Sequence, residues 1–319
     1  MKQVMFTLAV LLNAYVLSAC SINIGADRSA GHYERDAAGY GANDGVIERS
    51  LSVRPFTALE CRLPASVTYV QTNDQAPKVV LKGAPAMVER CVVDVRDGKL
   101  QLYLVQKAKQ SMKRFSQSRN QLNITVYGGQ LTALAVQSAC TFYATQLETS
   151  QLALSNAGAS SIRVGRFAGQ QLTMSCSGAS STKLAGNVAK LMLNVTGASS
   201  FVANEFTTQD LKAKVSGAST AKCALQGSAG VDVSGASTLT LSGTADLFTI
   251  KCSGASSVKA ADLKAQNVVV DVAGASGVKC YAARSIKGTV GCGSLNYGGH
   301  PTSYNVERQN TSASIKAVD

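Results

Sequence analysis

The chain has 319 residues, of which 45% are hydrophobic but only 16% charged; Gly numbers 28 and Pro 5, and the net charge is +12. That is enough apolar material for a core, and too little charge and proline for a disordered chain. The only histidines, His32 and His300, lie near opposite ends, which leaves little supply for Ser/His/Asp or His-rich metal chemistry.

Residues 1–19 carry a basic start, Lys2, then an apolar stretch from Val4 to Leu17, which reads as an export signal rather than a membrane span. The segment ends Leu17-Ser18-Ala19-Cys20. It resembles a bacterial lipobox, and the resemblance implies a lipid on Cys20 that holds the chain to a membrane, more firmly than one acyl chain could. The expected location is the cell envelope, as an outer-membrane lipoprotein in either leaflet. Residues 20–45 are rich in Gly, Ala and Asp without a sustained period and read as a tether.

Residues 46–129 alternate apolar and polar residues and read as a β-rich cap. Strands are expected over 46–53, 56–63, 66–72, 77–83, 91–96 and 99–106, with a helical turn from Ala84 to Arg90. Asp97-Gly98 marks a tight hairpin. A basic run, Lys99, Lys107, Lys109, Lys113, Arg114 and Arg119, falls within Gly98–Leu147, which has no acidic residue. It reads first as a solvated loop and second as a polyanion patch.

From residue 158 the tripeptide Gly-Ala-Ser recurs, with glycines at 158, 178, 197, 217, 235, 254 and 274. Ser138-Ala139-Cys140 takes the same place one turn earlier, and Gly291-Cys292-Gly293-Ser294 one turn later. Apolar residues alternate with polar ones on both sides of each glycine, for example Leu193, Val195, Phe201 and Ala203 around Gly197. Period 2 predicts strands with one buried face. A turn of 19–20 residues cannot bury that face alone, but stacked turns can. The expected fold is therefore all-β: a parallel β-solenoid of about nine turns over residues 130–301, right-handed by the usual crossover rule, with residues 302–319 as a tail.

The stretch VRPFTALECRLPASVTYVQTNDQAPKVVLKG, the hairpin VVDVRDGKLQL, the strand NITVYGGQLTALAV, the serial Gly-Ala-Ser turns and the ending GCGSLNYGGHP together resemble one family, the putative auto-transporter adhesin head GIN domain. The resemblance spans most of residues 50–301. It implies a β-helix, export or lipidation, and no catalytic residues or cofactors to carry over.

The serines at 160, 180, 199, 219, 237, 256 and 276 read as turn chemistry. Five residues after the glycines runs an outward column, Arg163, Lys183, Val202, Lys222, Thr240, Lys259, Lys279, whose five cations read either as lysines that solvate the face and discourage sheet association or as a stripe able to bind acidic glycan or lipopolysaccharide. Three residues before them, Lys214, Asp232, Lys251 and Asp271 alternate in sign and read as a register key, since a one-turn slip would set Lys on Lys. Of the later cysteines, Cys176 and Cys252 share a column four turns apart, too far for a disulfide; whether Cys61 pairs with Cys91 stays open. The leading function is a lipid-anchored adhesin or binding protein without catalysis. The alternative is a carbohydrate-active β-helix enzyme acting on acidic glycan, which needs clustered carboxylates. No nucleic-acid module is visible, and no nucleic-acid partner is expected.

Overall fold

A computed structural model describes residues 45–105 and 122–318. The expected export signal over residues 1–19, Cys20, the expected tether up to residue 44 and the basic run from Lys107 to Arg119 lie outside the described residues. The described part is nearly all β and winds into a solenoid of about nine turns.

In chain order the elements are β1 (Ile47–Ser52), β2 (Ala58–Arg62), β3 (Ser66–Gln71), β4 (Lys78–Gly83), α1 (Pro85–Val88), β5 (Cys91–Arg96), β6 (Lys99–Leu104), β7 (Leu122–Gly128), β8 (Ala133–Gln137), β9 (Thr141–Glu148) and β10 (Gln151–Asn156). There follow β11 (Ser161–Cys176), β12 (Ser181–Val195), β13 (Ser200–Val215), β14 (Thr220–Val233), β15 (Thr238–Cys252), β16 (Ser257–Val272), β17 (Gly277–Val290), β18 (Ser294–Gly298), β19 (Ser303–Arg308) and β20 (Ser314–Ala317). From β11 to β17 each strand is one turn, running from just after one Gly-Ala-Ser corner to just before the next. Each pairs in parallel with the next, with register irregularities such as that between Val164 and Phe167 where the strand bends. We call the half after a corner the leading face (Ser161–Val164 and its counterparts) and the half before the next corner the trailing face (Gln171–Cys176 and its counterparts).

The corners hold because of their glycines. The seven Gly-Ala-Ser glycines have φ between 66° and 80°, and Ser138 takes the same conformation at 69°. This left-handed region is where a Cβ is disfavoured. The parallel ladder continues through the corners: Ala179 N donates to Gly158 O at 2.9 Å, and Ala218 N to Gly197 O at 2.8 Å. The buried core is one cluster that runs the length of the described chain, with inward residues Leu172, Leu191, Leu211, Ala229, Phe248, Val268 and Ile286 stacked turn on turn. Phe167 and Phe206 lie two turns apart with ring centroids 6.3 Å apart, and Gly186 occupies the intervening rung.

The cap is more solenoid-like than the sequence suggests. β2 and β3 form a layer of their own, paired in parallel with β8 and β9 on one side and with β6 and β7 on the other. The chain therefore lays down β2–β3, leaves, returns to place β6 and β7 beyond them, and then crosses back to begin the regular turns at β8. Antiparallel strands finish the edge: β5 on β6, β4 on β7, and β1 on β4. Asp97 and Gly98 turn the β5–β6 hairpin with φ of 49° and 70°, the two positive values a two-residue hairpin favours.

The described residues after 301 join the rod rather than forming the expected tail. β19 pairs in parallel with β17 and β20 with β18, so the solenoid runs on to Ala317. The alternation that drives this is short, Ile315 being the inward residue of β20, and no Gly-Ala-Ser precedes it.

Candidate binding face

The leading face carries two outward columns. Strand register puts Arg163 beside Lys183, then in succession Val202, Lys222, Thr240, Lys259, Lys279, Asn296 and Lys316. The side chains of Arg163, Lys183, Lys222, Lys259, Lys279 and Lys316 are exposed, while their strand neighbours Ile162, Thr182, Ala221, Val258 and Val278 are buried. Period 2 thus fixes the cations outward and the apolar residues inward. Lys316 extends the column by two turns beyond the five basic residues read from the sequence, because β20 belongs to the rod.

The second column sits two residues earlier: Ser161, Ser181, Ser200, Thr220, Thr238, Ser257, Gly277, Ser294 and Ser314. All are partly exposed. The hydroxyls of Ser161, Ser181, Ser200, Thr220, Thr238 and Ser257 have no hydrogen-bond partner among the described residues. The signal of this column in the sequence is a hydroxyl residue three places after six of the seven glycines.

The corner serines behave in the opposite way. They are buried and their hydroxyls are partnered: Ser160 donates to Ala157 O at 2.6 Å, Ser256 to Val233 O at 3.0 Å and Ser276 to Cys252 O at 3.1 Å, while Ser180 donates to Ser199 Oγ at 3.2 Å. Their role is to satisfy the corner, so the free hydroxyl array is the one beside the cations.

Neither leading-face column contains a carboxylate. Followed toward the cap, the cation column continues through Tyr143, Thr68 and Thr125, and the hydroxyl column through Thr141, Ser66, Asn123 and Lys82. The first acid reached is Glu48 on β1, whose carboxylate is 3.8 Å from Lys82 Nζ.

The trailing face mixes signs. Register aligns Lys214, Asp232, Lys251 and Asp271 in one outward line, followed by Thr289 and Glu307. Thr289 Oγ1 donates to Asp271 Oδ1 at 3.3 Å. Among the described residues, none of the four charged side chains closes an ion pair with its neighbour. The alignment is present without ion pairs. Asp232 and Asp271 lie two rungs apart with Lys251 between them.

The cysteines fall into the interior. Cys61, Cys91, Cys140, Cys176, Cys223, Cys252 and Cys280 are buried free thiols, and Cys292 is exposed. Burial pushes Cys223 and Cys280 up to about 12 and Cys176 up to about 11. Cys61 pairs in register with Leu102 of β6, and Cys91 with Leu104 of the same strand, so β6 lies between the two cysteines. They are not bonded to one another. The neighbour of Cys61 is instead Cys140, whose hydrogen-bond contact, followed by burial, raises the Cys61 thiol well above its ordinary value.

The family described as "Putative auto-transporter adhesin, head GIN domain" matches residues 55–238 and 227–301. Among solved structures, a putative adhesin from Bacteroides fragilis is similar at 18% identity, covering 88% of this chain and 100% of its own, with a TM-score of 0.41. A putative adhesin from Parabacteroides distasonis is similar at 16% identity, with coverages of 86% and 97% and a TM-score of 0.48. A structure from the same species called a putative lipid binding protein has 16% identity, coverages of 87% and 98%, and a TM-score of 0.46. No curated protein matches the chain.

Proposed function

Since the chain belongs to the head GIN domain family, described as putative auto-transporter adhesins, we propose that it is an exported, lipid-anchored binding protein of the cell envelope that presents its leading face to a polyanion without catalysis. The observation that carries the reading is the acid-free leading face, on which six exposed cations share one line. Like charges stacked at ~4.8 Å intervals repel and do not help the fold. Their positive potential attracts a polymer of opposite sign. The trailing face, where Lys and Asp alternate, offers no such field.

Anchoring rests on Leu17-Ser18-Ala19-Cys20. Acylation at Cys20 tethers the rod through residues 20–45, and an outer-membrane lipoprotein is the resulting location. The ligand is acidic glycan or lipopolysaccharide. Two measurements test this. A fatty-acid probe labels the full chain in its host but not Cys20→Ala. The purified full chain binds an acidic polysaccharide or lipopolysaccharide at low salt, and loses binding as salt rises or when Lys183, Lys222, Lys259 and Lys279 are all changed to Gln. Absence of binding to every polyanion at low salt refutes the reading.

A further inference from the structure

The polyanion reading leaves open whether the face grips a compact anionic headgroup or an extended chain, and the inference here rests on that reading. We infer that the ligand is a linear acidic polysaccharide that lies along the rod axis on the leading face, with its anionic groups met by the Lys/Arg column and its hydroxyls by the Ser/Thr column.

Three features lead there. The first is the shape of the charge. Arg163, Lys183, Val202, Lys222, Thr240, Lys259, Lys279, Asn296 and Lys316 occupy nine successive rungs. At ~4.8 Å per rung the column is about 38 Å long and one residue wide. The neutral rungs are single, so consecutive cations are one or two rungs apart, roughly 5 or 10 Å. A headgroup meets two or three of these cations; only an extended chain meets six. One sugar lengthens an extended polysaccharide by about the rise of one rung, so an acid on every sugar, or on every second sugar, stays in step with the column.

The second feature is the neighbouring hydroxyl column. On the rungs of Arg163, Lys183, Lys222, Lys259 and Lys316, a hydroxyl (Ser161, Ser181, Thr220, Ser257, Ser314) stands two residues away on the same strand and the same side. Those of Ser161, Ser181, Thr220 and Ser257 are without a partner among the described residues. A hydroxyl donates to a carboxylate or sulfate oxygen and accepts from a sugar hydroxyl. A strip with a cation column and a hydroxyl column side by side therefore suits a ligand whose sugars each carry acid and alcohol groups.

The third feature is what the face lacks. Across the nine rungs from Arg163 to Lys316 neither column holds an aromatic side chain; Tyr143 stands one rung beyond Arg163. Single-stranded nucleic acid is held by bases stacked on aromatic rings as well as by charge, and this strip offers no such platform. No acid on the strip repels a polyanion along its whole length.

The test measures affinity against ligand length. The full chain is titrated at low ionic strength with oligogalacturonates, from the disaccharide to the decamer. Affinity is expected to rise by on the order of tenfold or more between the tetramer and the octamer, as further sites engage along one chain. It should level off once the oligomer spans the column. Lys316→Gln is expected to weaken the decamer severalfold and leave the tetramer unchanged. Lys287→Gln, on the trailing face, is expected to change neither. Affinity that does not grow with length, or a Lys316→Gln variant that binds the decamer as the parent does, overturns the extended-chain inference while polyanion binding stands. Equal affinity for single-stranded DNA of matched charge overturns the assignment to a glycan. If no oligogalacturonate of any length and no lipopolysaccharide binds, the failure lies with the polyanion reading itself.

Discussion

A Cβ added to Gly217 would lie 2.5 Å from the carbonyl oxygen of Gly197, one turn earlier. The two glycines stack corner on corner, and Ala218 N donates to that same carbonyl at 2.8 Å. The ladder closes at the corner only because no side chain stands in the gap. The φ of 80° at Gly217 adds the cost of a left-handed conformation. Gly217→Ala should therefore destabilise by about 3 kcal/mol or more, combining an unfavourable φ with a backbone clash. Gly230→Ala is the control, because its added methyl meets nothing within 4 Å. It should be neutral or stabilising by about 0.5–1 kcal/mol. Thermal melts of the two variants check the difference.

Asn156 stands in the column that holds Val195, Val215, Val233 and Val272 in later turns, and it is fully buried. Its Nδ2 donates to Thr182 Oγ1 and to Ser181 O, both at 2.8 Å, and its Oδ1 accepts from Ser160 Oγ at 2.5 Å. Asn156→Ala loses these bonds and leaves a void, which should cost about 2–4 kcal/mol. The pair Asn156→Val with Thr182→Val replaces both ends by the apolar residues the repeat uses elsewhere. It should lie within about 1 kcal/mol of the parent in denaturant titration, less than Asn156→Ala alone.

Burial raises the thiols of Cys91, Cys223 and Cys280 from 9.0 to about 12. The folded state therefore keeps protons that the unfolded state releases above pH 9. Stability is intact below pH 9 and falls between pH 9 and 12, by about 1.4 kcal/mol per pH unit for each such thiol. Melting temperature should be flat on this account near pH 7–8 and drop steeply above pH 9. The parallel readout is chemical: a maleimide at neutral pH should modify Cys292 and spare the seven buried cysteines, as peptide mapping will show.

Asp232→Lys puts three lysines, 214, 232 and 251, on consecutive rungs of the trailing face. Exposed charges interact weakly, so the loss should be about 1 kcal/mol or less. It should shrink further as salt rises, because screening at physiological ionic strength acts within ~8 Å. Asp232→Asn should cost less than Asp232→Lys. Equal melting temperatures for the two variants at low salt would show that the alternating line has no part in holding register.

The regular part of this rod is legible in the sequence because each of its rules is local. A glycine is needed at φ near 75°, so the tripeptide that supplies it recurs and counts the turns. Side chains alternate with period 2, so Ile162 goes in and Arg163 goes out, and the next turn repeats the choice with Thr182 and Lys183. The column assignments follow from those two facts, and so does the stripe from Arg163 to Lys279.

The tertiary structure decided what lies beyond the repeat. Nothing in residues 46–129 states that β6 and β7 lie outside β2 and β3, because pairing across non-consecutive strands depends on which edges are open when the chain folds. The separation of Cys61 from Cys91 and the contact of Cys61 with Cys140 follow from that crossing and have no signature in spacing. At the far end, β19 and β20 lack the Gly-Ala-Ser mark, yet the open edges of β17 and β18 bind them as further rungs. An unpaired strand edge accepts any segment that alternates correctly, and that rule adds Lys316 to a column the motif alone ends at Lys279.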